Sequence, residues 1–425
     1  MSRWRLTPIL LLLLAENPVR AEVLTLREVE RRALASDATR GAEAKIAQTD
    51  ADLEAARSGR RPVVSLSTEA SVAPGGQLVE VETLDGQRLL VQGSHPLGEA
   101  GAFVPLPRYA GVVSMQANVF DFGRTASRIR AGEHRALAAR TEERAQREDL
   151  ARSTRQAYLA WTVAYARVAL AERHQDDGRK RAEAVAGGIA EGGRPSADLN
   201  AARQEEVALE LEVAEARAGL EHARIALEQL VGETWSDAVV PDLGLLDASA
   251  MSAATDAALA SSALEQQADA AASVADSFAH EHAPFISTSA EAGLRGQASS
   301  AFPVYRVGIT LTVPLWDGGL AGAQARSARA QAAALRAEAD ATRKAREDEL
   351  RLAHSDLVRA EERLRLAERL RRLAQEQLGQ VGEQHRLGAV DLRAVLDARE
   401  HAWHAEAQEL AAKADRTAAW LRSQP

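Results

Sequence analysis

The chain spells out one unit twice, and that duplication limits what it can build. Val119-Phe120-Asp121-Phe122-Gly123 returns as Leu315-Trp316-Asp317-Gly318-Gly319, an offset of 196 from Asp121 to Asp317. The same offset carries Leu170-Ala171-Glu172-Arg173 onto Leu366-Ala367-Glu368-Arg369, Gly192 onto Gly388, and Ala202-Arg203 onto Ala398-Arg399. Upstream the offset is 222: Pro62, Ser65, Ser67 and Glu69 match Pro284, Ser287, Ser289 and Glu291. Ala33-Leu34-Ala35-Ser36 recurs as Ala258-Leu259-Ala260-Ser261, which needs a three-residue gap before the strand. The first copy holds 26 extra residues within 75–108, a Gly- and Pro-rich segment read as a long loop. Duplicated units of this kind are built to be stacked or arrayed.

Each copy has two segments that alternate with period 2, the pattern of a half-buried strand. Val64, Leu66, Thr68, Ala70 and Val72 share one face against Ser65, Ser67, Glu69 and Ser71. The counterpart sets Ile286, Thr288, Ala290, Ala292 and Leu294 against Ser287, Ser289, Glu291 and Gly293. The second strands follow suit, with Tyr109, Gly111, Val113, Met115, Ala117 and Val119 in one copy and Tyr305, Val307, Ile309, Leu311 and Val313 in the other. About ten residues of such alternation suit an outer-membrane barrel strand. Four strands cannot close a barrel, which needs about eight; three subunits would supply twelve.

Two long proline-free stretches predict helices over 124–190 and 320–386, each roughly 100 Å long at 1.5 Å per residue. Shorter helices are expected over 26–58, 196–231, 252–279 and 391–421. Helices of this length must pair as coiled coils. Ala, Arg, Glu and Leu dominate, and only 4% of residues are aromatic, a composition that fits long helices. Glycine and proline at 187–195, and Gly388, mark hairpin tips between long and short helices. The fold class expected is mainly α with a small β part: antiparallel coiled-coil helices forming a tunnel, plus four strands per subunit for a trimeric twelve-stranded barrel.

The first residues read as an export signal: Arg3 and Arg5, an apolar run from Ile9 to Leu14, and a cleavage pattern at Val19-Arg20-Ala21. The organisation is then a signal peptide over 1–21, a first repeat over 22–231, an inter-repeat segment over 232–250 and a second repeat over 251–425. The chain has no cysteine, which excludes disulfides and thiolate metal sites. A net charge of -9 argues against a nucleic-acid partner.

The ordered set of motifs resembles the TolC family of outer-membrane efflux and secretion channels. Its carriers are Leu24-Thr25-Leu26 with Ala33-Leu34-Ala35, Pro62, the landmarks around Asp121 and Asp317, and the tip from Gly388 to Ala398. The resemblance implies a homotrimer in the outer membrane with a large periplasmic helical tunnel. Its tips would dock on a periplasmic adaptor (membrane fusion) protein joined to an inner-membrane RND or ABC-type transporter. Drug, metal or protein cargo fits one such duct, so a type I protein-secretion component is the alternative. A periplasmic coiled-coil structural protein is the bland reading.

By the same resemblance, Asp198 and Asp397 are candidates for an acidic ring at the periplasmic aperture, though an aspartate on a helix also serves as a cap or solvated surface. Asp391 reads as a cap. Where the family tends to carry an aromatic–basic latch, this chain has His385 and Val390. Gly192, Gly193, Gly388 and Val390 are the candidate tip and docking residues. Glu69 and Glu291, on polar strand faces, are candidates for the barrel lumen. No catalytic, cofactor or metal residues are assigned: nucleophile-elbow and zinc-helix spacings are missing, and the pairs His280/His282 and His401/His404 read as exposed polar positions.

Overall fold

The structure, a computed structural model, describes residues 22–74, 78–82, 88–92, 105–190, 196–235, 239–246, 259–297 and 300–423. The expected signal peptide over 1–21 and the tip glycines Gly192 and Gly193 lie outside the described residues. The elements in chain order are β1 (Glu22–Leu24), α1 (Leu26–Leu34), α2 (Arg40–Ser58), β2 (Val63–Pro74), β3 (Leu78–Glu82), β4 (Arg88–Gln92), β5 (Pro105–Phe120) and α3 (Arg124–Ala190). There follow α4 (Ser196–Val231), β6 (Val239–Pro241), α5 (Leu259–Ala279), β7 (Phe285–Gln297), β8 (Ser300–Thr312), α6 (Leu320–Arg386) and α7 (Leu392–Ser423). Two compact units result. One gathers residues 46–138 and 264–337; the other gathers 1–45, 139–263 and 338–425.

In the first of these units the strands form one antiparallel sheet in the order β2-β5-β7-β8. The registers keep the alternation coherent across all four strands. Leu66 pairs with Val113, Val113 with Ala292, and Ala292 with Tyr305. One row along, Ser65, Ser114, Glu291 and Arg306 line up on the opposite face. The apolar face lies open: Leu66, Tyr305, Val307 and Ile309 are 68%, 78%, 83% and 79% exposed. Each sheet-to-helix turn is built the same way. Asp121 accepts from the Thr125 and Gly123 amides, at 2.8 and 3.3 Å, and Asp317 from the Ala321 and Gly319 amides, at 2.6 and 2.8 Å. Burial works to raise the Asp121 pKa, but the Thr125 hydroxyl, these amides and Arg124 outweigh it and hold it below the usual aspartate value. Two left-handed residues follow each aspartate, Phe122 and Gly123 at φ 52° and 98°, and Gly318 and Gly319 at 72° and 85°. That is why the repeat keeps glycine there, and a phenylalanine at this φ is an uncommon conformation.

The other unit is helical. Down α6, Ala353, Ala360, Ala367 and Ala374 are buried at steps of seven, and down α7 Ala398, Ala405, Ala412 and Ala419 repeat the same step. Strict heptads of this kind are coiled-coil seams. A second core surrounds Tyr158, Trp161, Leu227 and Val29, all fully buried, each contributing roughly 1.5–3 kcal/mol if counted as an ordinary apolar side chain. Here β1 runs parallel to β6, with Val23 opposite Val240. The Tyr158 hydroxyl donates to the Leu24 carbonyl at 2.7 Å and accepts from the Asp242 amide at 2.9 Å. Burial pushes that phenol's pKa up to about 12.

Several expectations shift. The helix expected over 26–58 breaks at Ala35, where residues 37–39 form a short 3-10 turn held by the Thr39 hydroxyl on the Ser36 carbonyl. A threonine hydroxyl bonded to a local carbonyl competes in this way with the regular helical backbone. Within the expected loop over 75–108, β3 and β4 pair as a hairpin, and β5 already begins at Pro105. The inter-repeat segment carries β6. The start of the helix expected from 252 lies outside the described residues, and α5 begins at Leu259.

Candidate functional site

The hairpin tip between α6 and α7 shows how local chemistry positions a site. Gly388, at φ 74°, ends α6. The Ala389 amide donates to the Gln384 carbonyl at 2.8 Å and the Gly388 amide to the His385 carbonyl at 2.9 Å, the paired bonds of a Schellman stop. Asp391 caps α7, its carboxylate accepting from the Ala394 amide at 3.0 Å. His385 Nδ1 lies 2.9 Å from the Val390 carbonyl. A carbonyl only accepts, so Nδ1 carries the proton. The two residues that stand in place of an aromatic–basic latch are thus bonded within one tip.

Asp198 and Asp397 face one groove of about 750 Å³ between α4 and α7. Asp198 sits in the first turn of α4, where the helix dipole favours a carboxylate; Asp397 is exposed one turn into α7. Asp198, Glu205 and Glu212 fall at steps of seven on α4, and Asp391, Asp397 and Glu400 come from α7. Only Arg393 and His404 oppose these six carboxylates among the lining residues. Among the described residues, Glu205 alone of the six is neutralised at close range by an arginine, Arg181, at 2.6 Å. Chemically the groove attracts cations. Val390 is half-buried beside Gly388 at the tip.

Glu69 and Glu291 both fall on the polar face of the sheet, four rows apart. Glu69 accepts from the Ser71 hydroxyl at 3.2 Å, and Glu291 stands opposite Arg306. The histidine pairs separate: His280 Nδ1 meets the Asp276 carbonyl at 2.6 Å, while His282 Nε2 lies 3.3 Å from Asp317. His404 lies 3.5 Å from Glu400. Among the described residues no three histidine, aspartate or glutamate side chains are placed to hold a metal ion, and no helix is long and apolar enough to cross a membrane.

One cluster went unread in the sequence. His174 and Arg181, seven apart on α3, both contact Trp403 of α7: the imidazole stacks on it with centroids 4.7 Å apart, and the guanidinium lies 5.1 Å over the ring. The only clue in the sequence was a histidine, an arginine and a tryptophan set in alanine-rich helices.

Comparison with known proteins agrees with this architecture. Residues 101–233 match the family model for outer membrane efflux proteins. No curated protein matches the chain in sequence. Solved structures match it over nearly its whole length. The outer membrane protein VceC from Vibrio cholerae has a TM-score of 0.75 at 18% identity, covering 94% of each chain. A membrane protein from Pseudomonas aeruginosa has 0.78 at 18%, over 95% of this chain and 93% of that one. The open state of the Neisseria gonorrhoeae MtrE outer membrane channel has 0.76 at 17%, over 96% and 91%. The TolC-family resemblance read from the sequence is borne out, and the fold is that of these channels.

Proposed function

We propose that this chain, with the fold of the outer-membrane channels and a segment matching the outer membrane efflux proteins, is one of three subunits of a trans-periplasmic exit duct. The observation that carries the reading is the four-stranded sheet. Its apolar face is exposed, and β2 and β8 each leave an edge unpaired among the described residues. An open edge with an apolar face is a liability in water. It is resolved when β8 of one copy pairs with β2 of the next, and twelve strands close a barrel in lipid. The helical unit offers a matching sign. Leu352, Leu366 and Leu373 stand at multiples of seven along α6 and are 65%, 57% and 53% exposed, an apolar stripe that a neighbouring copy would cover.

In this reading the duct is passive and sits in the outer membrane with a large periplasmic part. The tips at Gly388 and Val390 dock on a periplasmic adaptor coupled to an inner-membrane pump. Asp198 and Asp397 of three copies line the mouth, and Glu69 and Glu291 line the barrel lumen. Efflux is the primary assignment, because the family model that matches is that of efflux proteins. Membrane fractionation followed by detergent extraction and light-scattering mass measurement tests the assembly. A trimer extracted from outer membranes is expected. A monomer that stays in solution without detergent would refute the barrel.

A further inference from the structure

His174 is the most deeply buried titratable group of the helical unit outside the tyrosine core, at 4% exposure. Its Nε2 lies 3.4 Å from Glu406 on α7. The other Glu406 oxygen is held by Gln375 of α6 at 3.1 Å. His174 Nδ1 is buried and has no hydrogen-bond partner. With its only acceptor at Nε2, the neutral ring carries its proton there and leaves Nδ1 as a bare lone pair. A second proton would create a buried N–H with nothing to receive it, which costs more than a bare acceptor in the same place.

Arg181 lies over Trp403, and Arg399 of α7, half-buried, is 3.7 Å from Asp177. Burial, and then Arg181, lower the pKa of Arg399. The groups facing His174 are Glu406 from α7, Glu212 from α4 and Arg173 from its own helix; Glu205 of α4 is engaged by Arg181. We infer that His174 is a pH-sensitive lock on the packing of α7 against α3: neutral, it seats Trp403, and protonated, it loosens that seat. Consistent with this, burial lowers the His174 pKa and outweighs the pull of Glu406. The loosened state therefore binds more protons than the packed one. The lock contributes in full above the ordinary histidine value of 6.5, and its contribution falls away as pH drops below that value.

The test uses the emission of Trp403, isolated by subtracting the spectrum of Trp403→Phe, in the full-length protein titrated from pH 8 to 5. Wild type is expected to shift to the red as pH falls, while His174→Gln and His174→Phe, which cannot titrate, stay flat. Circular dichroism confirms that each variant is folded, and if one fails the other decides. Hydrogen exchange over 400–407, corrected for intrinsic rates, is expected to quicken at pH 5 in wild type only. A pH-invariant Trp403 signal in wild type, or a wild-type red shift in either folded variant, overturns the lock. Neither readout depends on the sheet forming a barrel, so failure here is separable from failure of the channel assignment.

Discussion

Substituting Gly293 tests how closely β5 and β7 approach one another in the sheet. A β-carbon at Gly293 would lie 2.2 Å from the Gly111 carbonyl oxygen and 2.7 Å from the Val112 α-carbon. Both are backbone atoms of β5, so no side chain can swing away. Gly293 pairs with Val112, which is 6% exposed although it lies on the polar face. Relief requires β5 and β7 to part by roughly 1 Å, since ordinary contact begins near 3.5 Å. A ladder hydrogen bond stretched that far is lost, and with the overpacking the cost comes to about 1–3 kcal/mol per copy. Gly308, in the neighbouring strand of the same sheet, supplies the control: a β-carbon there would meet only the Ser289 hydroxyl, at 3.6 Å. Thermal melting of the detergent-extracted protein, with strand content followed by circular dichroism, should place Gly293→Ala several degrees below wild type. Gly308→Ala should stay close to wild type. Equal melting of the two variants would refute the close approach of β5 and β7.

Three other outcomes are expected. Tyr158→Phe removes two hydrogen bonds, but the Asp242 amide already lies 3.3 Å from the Leu24 carbonyl, so both stay paired; chemical denaturation should show a loss of about 1–2 kcal/mol, and an undiminished stability would mean that the hydroxyl does not tie β1 to the segment after β6. Leu66→Cys should react with lipid-soluble thiol probes and Glu69→Cys with water-soluble ones, free of background because the chain has no native cysteine; the reverse pattern would place the register one residue off. In planar bilayers, Asp198→Ala with Asp397→Ala should weaken block by divalent cations from the periplasmic side and raise conductance modestly without disrupting the trimer, and an unchanged block would assign the ring to other carboxylates.

What the sequence determined is what local physics can write into it. The spans Arg124–Ala190 and Leu320–Arg386 were legible because no proline interrupts them and an aspartate–glycine turn opens each; Gly388 closes the second. The faces of β2, β5, β7 and β8 were legible because a strand alternates with period 2 whatever it pairs with. Asp391 could be recognised as a cap for the same local reason. Tertiary structure decided the rest. The three-residue β1 finds β6 more than two hundred residues away, and so short a strand has no period to reveal its partner. Asp198 and Asp397 share a groove because α4 and α7 run side by side; helical spacing says which face a carboxylate takes, not which helix it faces. Trp403 lies against His174 and Arg181 for a similar reason: the seven-residue step on α3 made a gap of fixed size, and only packing chose the side chain from α7 that filled it.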